Sequence, residues 1–378
     1  MAEAEKYNTH IPFEFRGDGK SYFRIWVVNL FLSLITLGVY SAWAKVRSNR
    51  YFYSHLYLDG SSFEYVANPL SILIGRVAAV ILFVAYNLIS QFLPELSIWF
   101  LGALIPVIPW MIFKSLQFRA RNSIYRNIRF GFHGTYKKAL LVMGIYPALM
   151  ISPFILLGLL LTEEQAANPT YITLGILGAY VFSFSVLGFV LYQFYSYVVN
   201  NSSYGKTRFT FSSSVKEYYG LLTMMFFSML GLMIIFGIAV GIAVALTGAF
   251  VPQEFGLMLA TGFGAVFGMA AYVWMIAMYS VGTTNRLYNG ILIPAWYTFQ
   301  SAITTSGLFK VYFINTVLIV LTVGLYIPFA KIRLINYRVQ NLKFVSTLNL
   351  DEFVFDSNED VAAMGQEMGE MFDLGLSL

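Results

Sequence analysis

The side chains of this sequence that could do chemistry are basic and amide groups rather than nucleophiles or metal ligands. The chain has no cysteine and three histidines, and no histidine stands in an HExxH or similar metal-binding spacing. No Asp or Glu lies within its long apolar runs, which disfavours membrane-embedded acid–base catalysis and proton relays built on carboxylates. We therefore predict no catalytic residue, no metal and no cofactor, and an enzyme is the least favoured class.

Seven polar residues are instead candidates for holding a ligand or a lipid headgroup. Amides within apolar segments can hydrogen-bond a polar ligand, and Lys and Arg attract anionic headgroups. Each also has a structural alternative: asparagines can bond other protein groups, basic clusters can fix topology, and an arginine near the start of an apolar run can reach the cytoplasmic headgroups. The candidates are Asn29, Lys45, Arg47, Arg76, Asn315, Lys331 and Arg333.

Four prolines interrupt two consecutive apolar runs. A proline removes a backbone hydrogen bond and bends its helix, and freed carbonyls can line a substrate cavity. The alternative is a packing kink whose carbonyls are satisfied by neighbouring groups. These predicted helix-bend positions are Pro106, Pro109, Pro147 and Pro153.

The composition indicates a membrane protein. The chain of 378 residues is 58% hydrophobic and only 11% charged, whereas soluble domains have about a quarter charged residues. This excludes an ordinary soluble enzyme and a disordered chain, and a net charge of +5 is too small to favour nucleic-acid binding. Six apolar runs are long enough to span a bilayer. They lie at 70–90, 97–117, 139–161, 170–198, 219–247 and 256–281.

The distribution of basic residues predicts the orientation of these runs. The short segments 91–97, 162–170 and 247–256 contain no Lys or Arg. By the positive-inside rule, the basic segments and both chain ends are cytoplasmic. The six runs should then form three hairpins that return to the cytoplasm.

Two further apolar stretches, 22–43 and 308–330, belong to an internal repeat. Residues 22–47 align without a gap on 308–333, with nine of 26 positions identical. Basic residues flank each element on both sides, so we favour re-entrant or amphipathic helical hairpins that break at 36–38 and 322–324. A single crossing of the membrane remains the alternative.

Pairs of aromatic residues separated by one position recur along the cytoplasmic segments. Alternation at period two is typical of a strand. We expect short β-hairpins that form a small cytoplasmic sheet beneath the helices; separate hairpins in the headgroup layer are the alternative. The pairs are Phe13/Phe15, Phe63/Tyr65, Phe130/Phe132, Phe209/Phe211, Tyr297/Phe299 and Phe353/Phe355.

The predicted organisation is therefore one integral membrane domain over residues 1–378. A cytoplasmic segment precedes the first re-entrant repeat, three transmembrane hairpins follow, and a second repeat leads into an acidic tail that is either a short amphipathic helix or frayed. The segments are 1–21, 22–68, 69–300, 301–350 and 351–378.

Three stretches of the sequence resemble the YjgN-like bacterial inner-membrane proteins. They are the N-terminal run from FEFRGDGKSYF to SSFEY, the FGFHGT segment at 130–135, and the closing FDLGL at 372–376. The resemblance implies an inner-membrane location in a Gram-negative bacterium. The family is a domain of unknown function, so no catalytic residue follows from it.

The function favoured by these features is that of a transporter-like or lipid- or solute-binding membrane protein. The expected partners are anionic lipid headgroups on the cytoplasmic side, with a small solute or a cytoplasmic protein as further possibilities and no nucleic acid. The competing class is a non-catalytic membrane scaffold or envelope-organising protein that docks a cytoplasmic partner.

Overall fold

The computed structural model describes residues 9–161, 168–248, 253–293 and 297–346. The predicted tail helix in 351–378 and the pair Phe353/Phe355 lie outside them. A π-helical turn, Leu141–Ile145, separates two of the helices. The helices are α1 (Gly19–Ile35), α2 (Ser41–Ser54), α3 (Pro69–Phe92), α4 (Pro94–Leu104), α5 (Val107–Arg121), α6 (Tyr136–Leu140), α7 (Tyr146–Leu160), α8 (Pro169–Asn200), α9 (Val215–Gly248), α10 (Gln253–Asn289), α11 (Thr305–Leu321) and α12 (Ile327–Gln340).

Six helical segments of the described chain are long and apolar enough to cross a membrane, and they coincide with the six predicted runs. Side-chain amides start two of them: Asn68 and Asn168 each accept a backbone N–H two residues on and precede a proline at the first helical position. The six segments are Pro69–Phe92, Pro94–Arg121, Tyr136–Leu160, Pro169–Asn200, Val215–Ala243 and Thr261–Asn289.

The two stretches of the predicted internal repeat, which begin at residues 22 and 308, each contain a helix, a tight turn and the start of a second helix. In the first, Leu37 and Gly38 have φ of 49° and 91°; in the second, Val323 and Gly324 have φ of 49° and 90°. The Thr36 hydroxyl donates to Leu32 O at 2.7 Å and accepts from Tyr40 N–H at 2.9 Å. The equivalent bonds of Thr322, to Leu318 and Tyr326, measure 2.7 and 3.0 Å. The two turns therefore have the same local structure at an offset of 286 residues.

The strands pair into one antiparallel sheet with the order β7-β6-β5-β4-β3-β2-β1-β11-β10-β9-β8. Within the described residues, the predicted aromatic pairs lie at the strands that enter the helical hairpins, whereas β2, β4, β6, β9 and β11 contain no such pair. The strands are β1 (Thr9–Phe15), β2 (Leu56–Leu58), β3 (Ser61–Tyr65), β4 (Ser123–Tyr125), β5 (Ile128–Phe132), β6 (Ser202–Tyr204), β7 (Thr207–Arg208), β8 (Thr210–Phe211), β9 (Ile291–Ile293), β10 (Tyr297–Ser301) and β11 (Leu342–Ser346).

The prediction of a small sheet was wrong in size and shape. The described residues form an eleven-stranded sheet, and its two ends, β7 and β8, are separated by Phe209 alone. Phe209 N–H donates to Ser202 O at 3.0 Å, so the segment that joins β7 to β8 continues the pairing with β6. The sheet thus closes nearly into a barrel, an arrangement that removes exposed edges.

The pairing between β1 and β11, which we call the seam, joins the two ends of the described chain. β1 pairs with β11 from Thr9 opposite Ser346 to Pro12 opposite Lys343. The turn Asp59–Gly60 has positive φ at both residues and connects β2 to β3 as the sequence suggests. Asn289–Gly290, in contrast, is the junction between α10 and β9 rather than a hairpin turn.

In the described residues, five strand–hairpin–strand units contain ten of the eleven strands, and β7 lies between the third and fourth units. In each unit a strand enters a helical hairpin and the next strand leaves it. The backbone N–H of the residue after the first strand donates to the backbone carbonyl of the residue before the second strand. This bond holds the two ends of the hairpin together at the sheet. These bonds are Arg16 to His55 (2.9 Å), Val66 to Asn122 (3.1 Å), His133 to Asn201 (2.7 Å), Ser212 to Gly290 (2.8 Å) and Ala302 to Asn341 (2.9 Å).

Candidate functional site

A cavity of about 620 Å³ lies inside the barrel, and we call it the aromatic chamber. Its size falls within the range of roughly 300–1,000 Å³ that is usual for small-molecule sites. Residues of α10 and α12, including Tyr288 and Arg338, form the rest of its wall where the helices meet the sheet.

In four units a phenylalanine of the first strand lines the chamber, and in the remaining unit the residue directly before the first strand, Phe209, does so. The third residue of each strand that leaves a hairpin also lines the chamber. In four units the two are direct cross-strand partners, as in Phe63 opposite Tyr125. The five phenylalanines are Phe13, Phe63, Phe130, Phe209 and Phe299, and the second set comprises Leu58, Tyr125, Tyr204, Ile293 and Phe344.

The rings form a nearly continuous belt. Phe13 stacks between Phe63 and Phe299, with both centroid distances at 6.3 Å, and Phe63 stacks on Tyr125 at 4.6 Å. Each offset or edge contact between two aromatic rings stabilises the fold by about 0.5–1.5 kcal/mol, in addition to the contribution of the buried apolar area. The belt therefore gives the chamber a rigid, apolar wall.

Tyrosine hydroxyls of the barrel are used for structure. Tyr125 Oη donates to Leu58 O at 2.8 Å, and Tyr204 Oη donates to Tyr125 O at 2.9 Å. Burial raises the pKa of Tyr204 well above its ordinary value. The Tyr204 hydroxyl therefore stays neutral, and each of the two bonds links strands that are separated by a third strand, β4 with β2 and β6 with β4.

Arg338 is the charged residue on the chamber wall. Its Nη2 donates to the hydroxyl of Tyr312 at 3.0 Å. Its Nε is buried and has no hydrogen-bond partner. Among the described residues, Arg338 has no carboxylate within ion-pair distance.

A cation cluster lies where α2, α3, α5 and α12 approach one another. Burial, followed by repulsion from Arg119, Lys331 and Arg76, lowers the pKa of Lys45. Arg76 Nη1 donates to the hydroxyl of Ser41. The structure thus brings together three predicted candidates, Lys45, Arg76 and Lys331, and adds Arg119 to them.

The two candidate asparagines are not brought together on a common site. Asn315 donates from Nδ2 to Ala330 O at 3.1 Å, and its Oδ1 accepts from Arg333 Nη1 at 3.3 Å. Asn29 donates to Ala44 O at a longer 3.5 Å, and its buried Oδ1 has no partner. Each asparagine joins the two helices of its own hairpin.

Arg47 and Arg333 occupy equivalent positions but different surroundings. Arg333 bonds Asn315 and lies over the ring of Tyr326, with 5.5 Å to the centroid. Arg47 is exposed and lines a shallow surface groove with Arg50.

The four prolines lie at irregular points of their helices. Pro106 separates α4 from α5, and its carbonyl accepts from Tyr136 Oη at 2.9 Å. Pro109 is buried in the first turn of α5. Pro147 follows the π-helical turn, and Pro153 lies inside α7. None of the four lines the aromatic chamber.

The chamber and Arg338 are what the sequence reasoning missed. The aromatic alternation was visible, but its use as a strand signal did not reveal that one member of each pair faces a common interior. Each of the five chamber phenylalanines lies six positions before the first residue of the following helix, and this constant spacing is the signal that could have revealed it.

Six of the described helical segments are apolar and long enough to span a membrane, and the sheet at the ends of the helical hairpins lines a chamber. The fold is therefore that of a polytopic helical membrane protein. Residues 10–371 match the model of a family described as bacterial protein of unknown function (DUF898), and the chain belongs to this family.

Named relatives of the chain are inner-membrane proteins. The chain is 27% identical over 376 residues to inner membrane protein YjgN of Salmonella typhimurium strain LT2, and the aligned region covers 93% of each chain. It is 27% identical over 205 residues to YjgN of Escherichia coli O157:H7, and this aligned region covers 52% of this chain and 51% of the relative. No solved structure matches the chain at a significant level.

Proposed function

We propose that this protein binds an amphiphilic lipid or solute in the aromatic chamber, as a lipid-binding or transporter-like protein of the inner membrane. The supporting observation is the chamber itself: five phenylalanines, one from each unit or from the residue directly before it, line one cavity of about 620 Å³. A wall of this composition suits a hydrocarbon body, because burial of apolar surface supplies most of the binding free energy.

The membrane arrangement belongs to the same proposal. Every described hairpin begins and ends at the sheet, which supports a sheet on one side of the membrane, and the basic segments favour the cytoplasm as that side. The three predicted transmembrane hairpins and both chain ends follow from this orientation.

The terminal hairpins, α1–α2 and α11–α12, are proposed to be repeat-related and re-entrant. Their tips carry Leu37 and Val323, which are 95% and 92% exposed. Turns in water favour polar residues and glycine, whereas apolar side chains at a tip suit hydrocarbon. The 17 residues of α1 reach about 26 Å at about 1.5 Å per residue, short of a bilayer core of about 30 Å.

The absence of native cysteine allows a direct test of this orientation. Single cysteines at Lys206, Ser97 and Leu37 should react differently with a membrane-impermeant maleimide in intact cells and in inverted vesicles. We expect Lys206→Cys to react only in inverted vesicles, Ser97→Cys only in cells, and Leu37→Cys in neither until detergent is added. Reaction of Leu37→Cys in intact cells would instead support a full crossing.

Photolabelling tests the chamber. A long-chain alcohol that carries a diazirine, reconstituted with the protein, should crosslink to chamber residues identified by mass spectrometry. Leu58→Trp and Ile293→Trp fill the chamber and should lower this labelling by about tenfold, the effect of losing about 1.4 kcal/mol of binding. Leu292→Trp, on the outer face of the same strand, is the matched control. Equal labelling of all variants would contradict the proposal.

The competing function is a scaffold that docks a cytoplasmic partner through the sheet and the acidic tail. Co-purification of a stoichiometric partner that is lost on deletion of residues 357–378 would favour it.

A further inference from the structure

Arg338 has an unusual position for a charged side chain. It lies on the wall of the aromatic chamber, among phenylalanine, leucine and isoleucine side chains. A guanidinium carries a full positive charge. Arg338 is half-buried, with its Nε shielded from solvent, and a charge partly removed from water is costly unless it is paired and hydrogen-bonded.

The described surroundings of Arg338 do not supply that pairing. One nitrogen, Nη2, donates to the Tyr312 hydroxyl, and the buried Nε donates to nothing. The nearby polar group Ser301 is already used, because its hydroxyl donates to Asn285 Oδ1 at 2.7 Å and its N–H donates to Asn289 Oδ1 at 2.6 Å. The chamber wall contains no carboxylate.

We infer that the chamber selects an acidic amphiphile, whose carboxylate or phosphate accepts hydrogen bonds from Arg338 while its hydrocarbon body packs against the aromatic belt. This inference rests on the proposed function of the chamber and names the chemical class of its ligand. A guanidinium matches both anions in geometry, since its N–H groups form a planar fork. A free fatty acid and a membrane phospholipid share this chemistry.

The test compares two diazirine probes that differ only at the head, a long-chain fatty acid and the corresponding alcohol. In the wild-type protein, competition should show the acid to bind more tightly by about tenfold or more, as expected for a hydrogen bond to a charged group. Arg338→Gln should abolish the preference while it retains labelling by the alcohol, which also reports that the chamber is intact. Arg338→Lys should retain part of the preference.

Arg129→Gln provides the matched control. Arg129 is exposed and precedes the inward-facing Phe130 on β5, so it lies on the outer face of the same barrel. This variant should keep the full preference for the acid. A photoactivatable phosphatidic acid in the same vesicles distinguishes a phospholipid from a free fatty acid as the source of the anion, and labelling by either supports the inference.

Three outcomes separate the two proposals. Failure of both probes to label the chamber would overturn the proposed function. Equal affinity for acid and alcohol in the wild-type protein would leave the chamber as a lipid site and overturn the role of Arg338. A preference for the acid that appears only after deletion of residues 351–378 would assign Arg338 to the acidic tail, which also overturns the inference.

Discussion

At the residue scale, Asn29 and Asn315 occupy equivalent positions of the predicted internal repeat but differ in the number of hydrogen bonds they make. Asn315 uses both its donor and its acceptor, whereas Asn29 makes one long bond and leaves a buried oxygen unpaired. An unpaired buried polar atom costs free energy that a hydrogen-bonded one does not. The two asparagines therefore contribute unequally to stability despite their matching sequence context.

Replacement of the two asparagines by leucine should reveal this difference. Asn315→Leu should lower the free energy of unfolding by about 1–3 kcal/mol, because the helix contact and the partner of Arg333 are both lost. Asn29→Leu should cost less than about 1 kcal/mol, because it also removes an unsatisfied oxygen. Thermal unfolding in detergent compares them, with each variant serving as the control for the other. Equal losses would contradict this account.

At the element scale, the tips of the terminal hairpins depend on glycine. Gly38 and Gly324 have φ near +90°, and a Cβ at Gly38 would have no neighbour within 4 Å. The cost of a side chain there is therefore conformational rather than steric.

Alanine at either tip should destabilise its hairpin. Gly38→Ala and Gly324→Ala should each cost about 1–2 kcal/mol, the penalty of a left-handed conformation for a residue with a Cβ. Gly75→Ala is the control, because Gly75 lies inside α3 with open space around it and should gain up to about 1 kcal/mol. The measurement is the apparent melting temperature, and unchanged melting of both tip variants would refute the shared turn geometry.

The cation cluster joins four helices and should recruit anionic lipid. Lys45→Gln combined with Lys331→Gln should weaken retention of phosphatidylglycerol by about 30-fold, since each lysine contributes about 1 kcal/mol near an anionic surface. Native mass spectrometry measures the lipids retained. Phosphatidylcholine retention should not change, and the pair Lys137→Gln and Lys138→Gln, away from the cluster, should have little effect on either lipid.

At the scale of the whole molecule, pairing between the two ends of the described chain joins the two halves of the sheet. His10 lies opposite Val345 in the seam between β1 and β11, and Val345 lies opposite Thr298 on its other side. Opposed residues of antiparallel strands have Cα atoms about 4.5–5.5 Å apart, within reach of a disulfide.

Paired cysteines test this pairing without interference from native thiols. His10→Cys with Val345→Cys should form an intramolecular disulfide on mild oxidation, seen as protection from a mass-tagged maleimide. His10→Cys with Thr298→Cys should not, because these strands are two spacings apart, about 10 Å. Crosslinking of both pairs alike would indicate a mobile seam rather than a fixed one.

Much of the architecture was predictable because its causes are local. A run of about 20 apolar residues is sufficient to predict a membrane-spanning helix, and Asn68-Pro69 and Asn168-Pro169 predict where two of the helices start. Aromatic alternation over a few residues predicted the strands that enter the hairpins. The hydrogen bonds of Thr36 and Thr322 connect residues at most four positions apart, so similar sequences produce similar turns.

The barrel, its chamber and the position of Arg338 were decided only by tertiary structure. Strand pairing joins residues distant in sequence, as between Thr9 and Ser346, and no local pattern specifies which strands are neighbours. Closure turns one face of every strand inward, which converts scattered phenylalanines into one wall. In the sequence Arg338 is one of several basic residues near Lys331. It becomes a half-buried cation with an unpartnered Nε only because α12 ends against that wall.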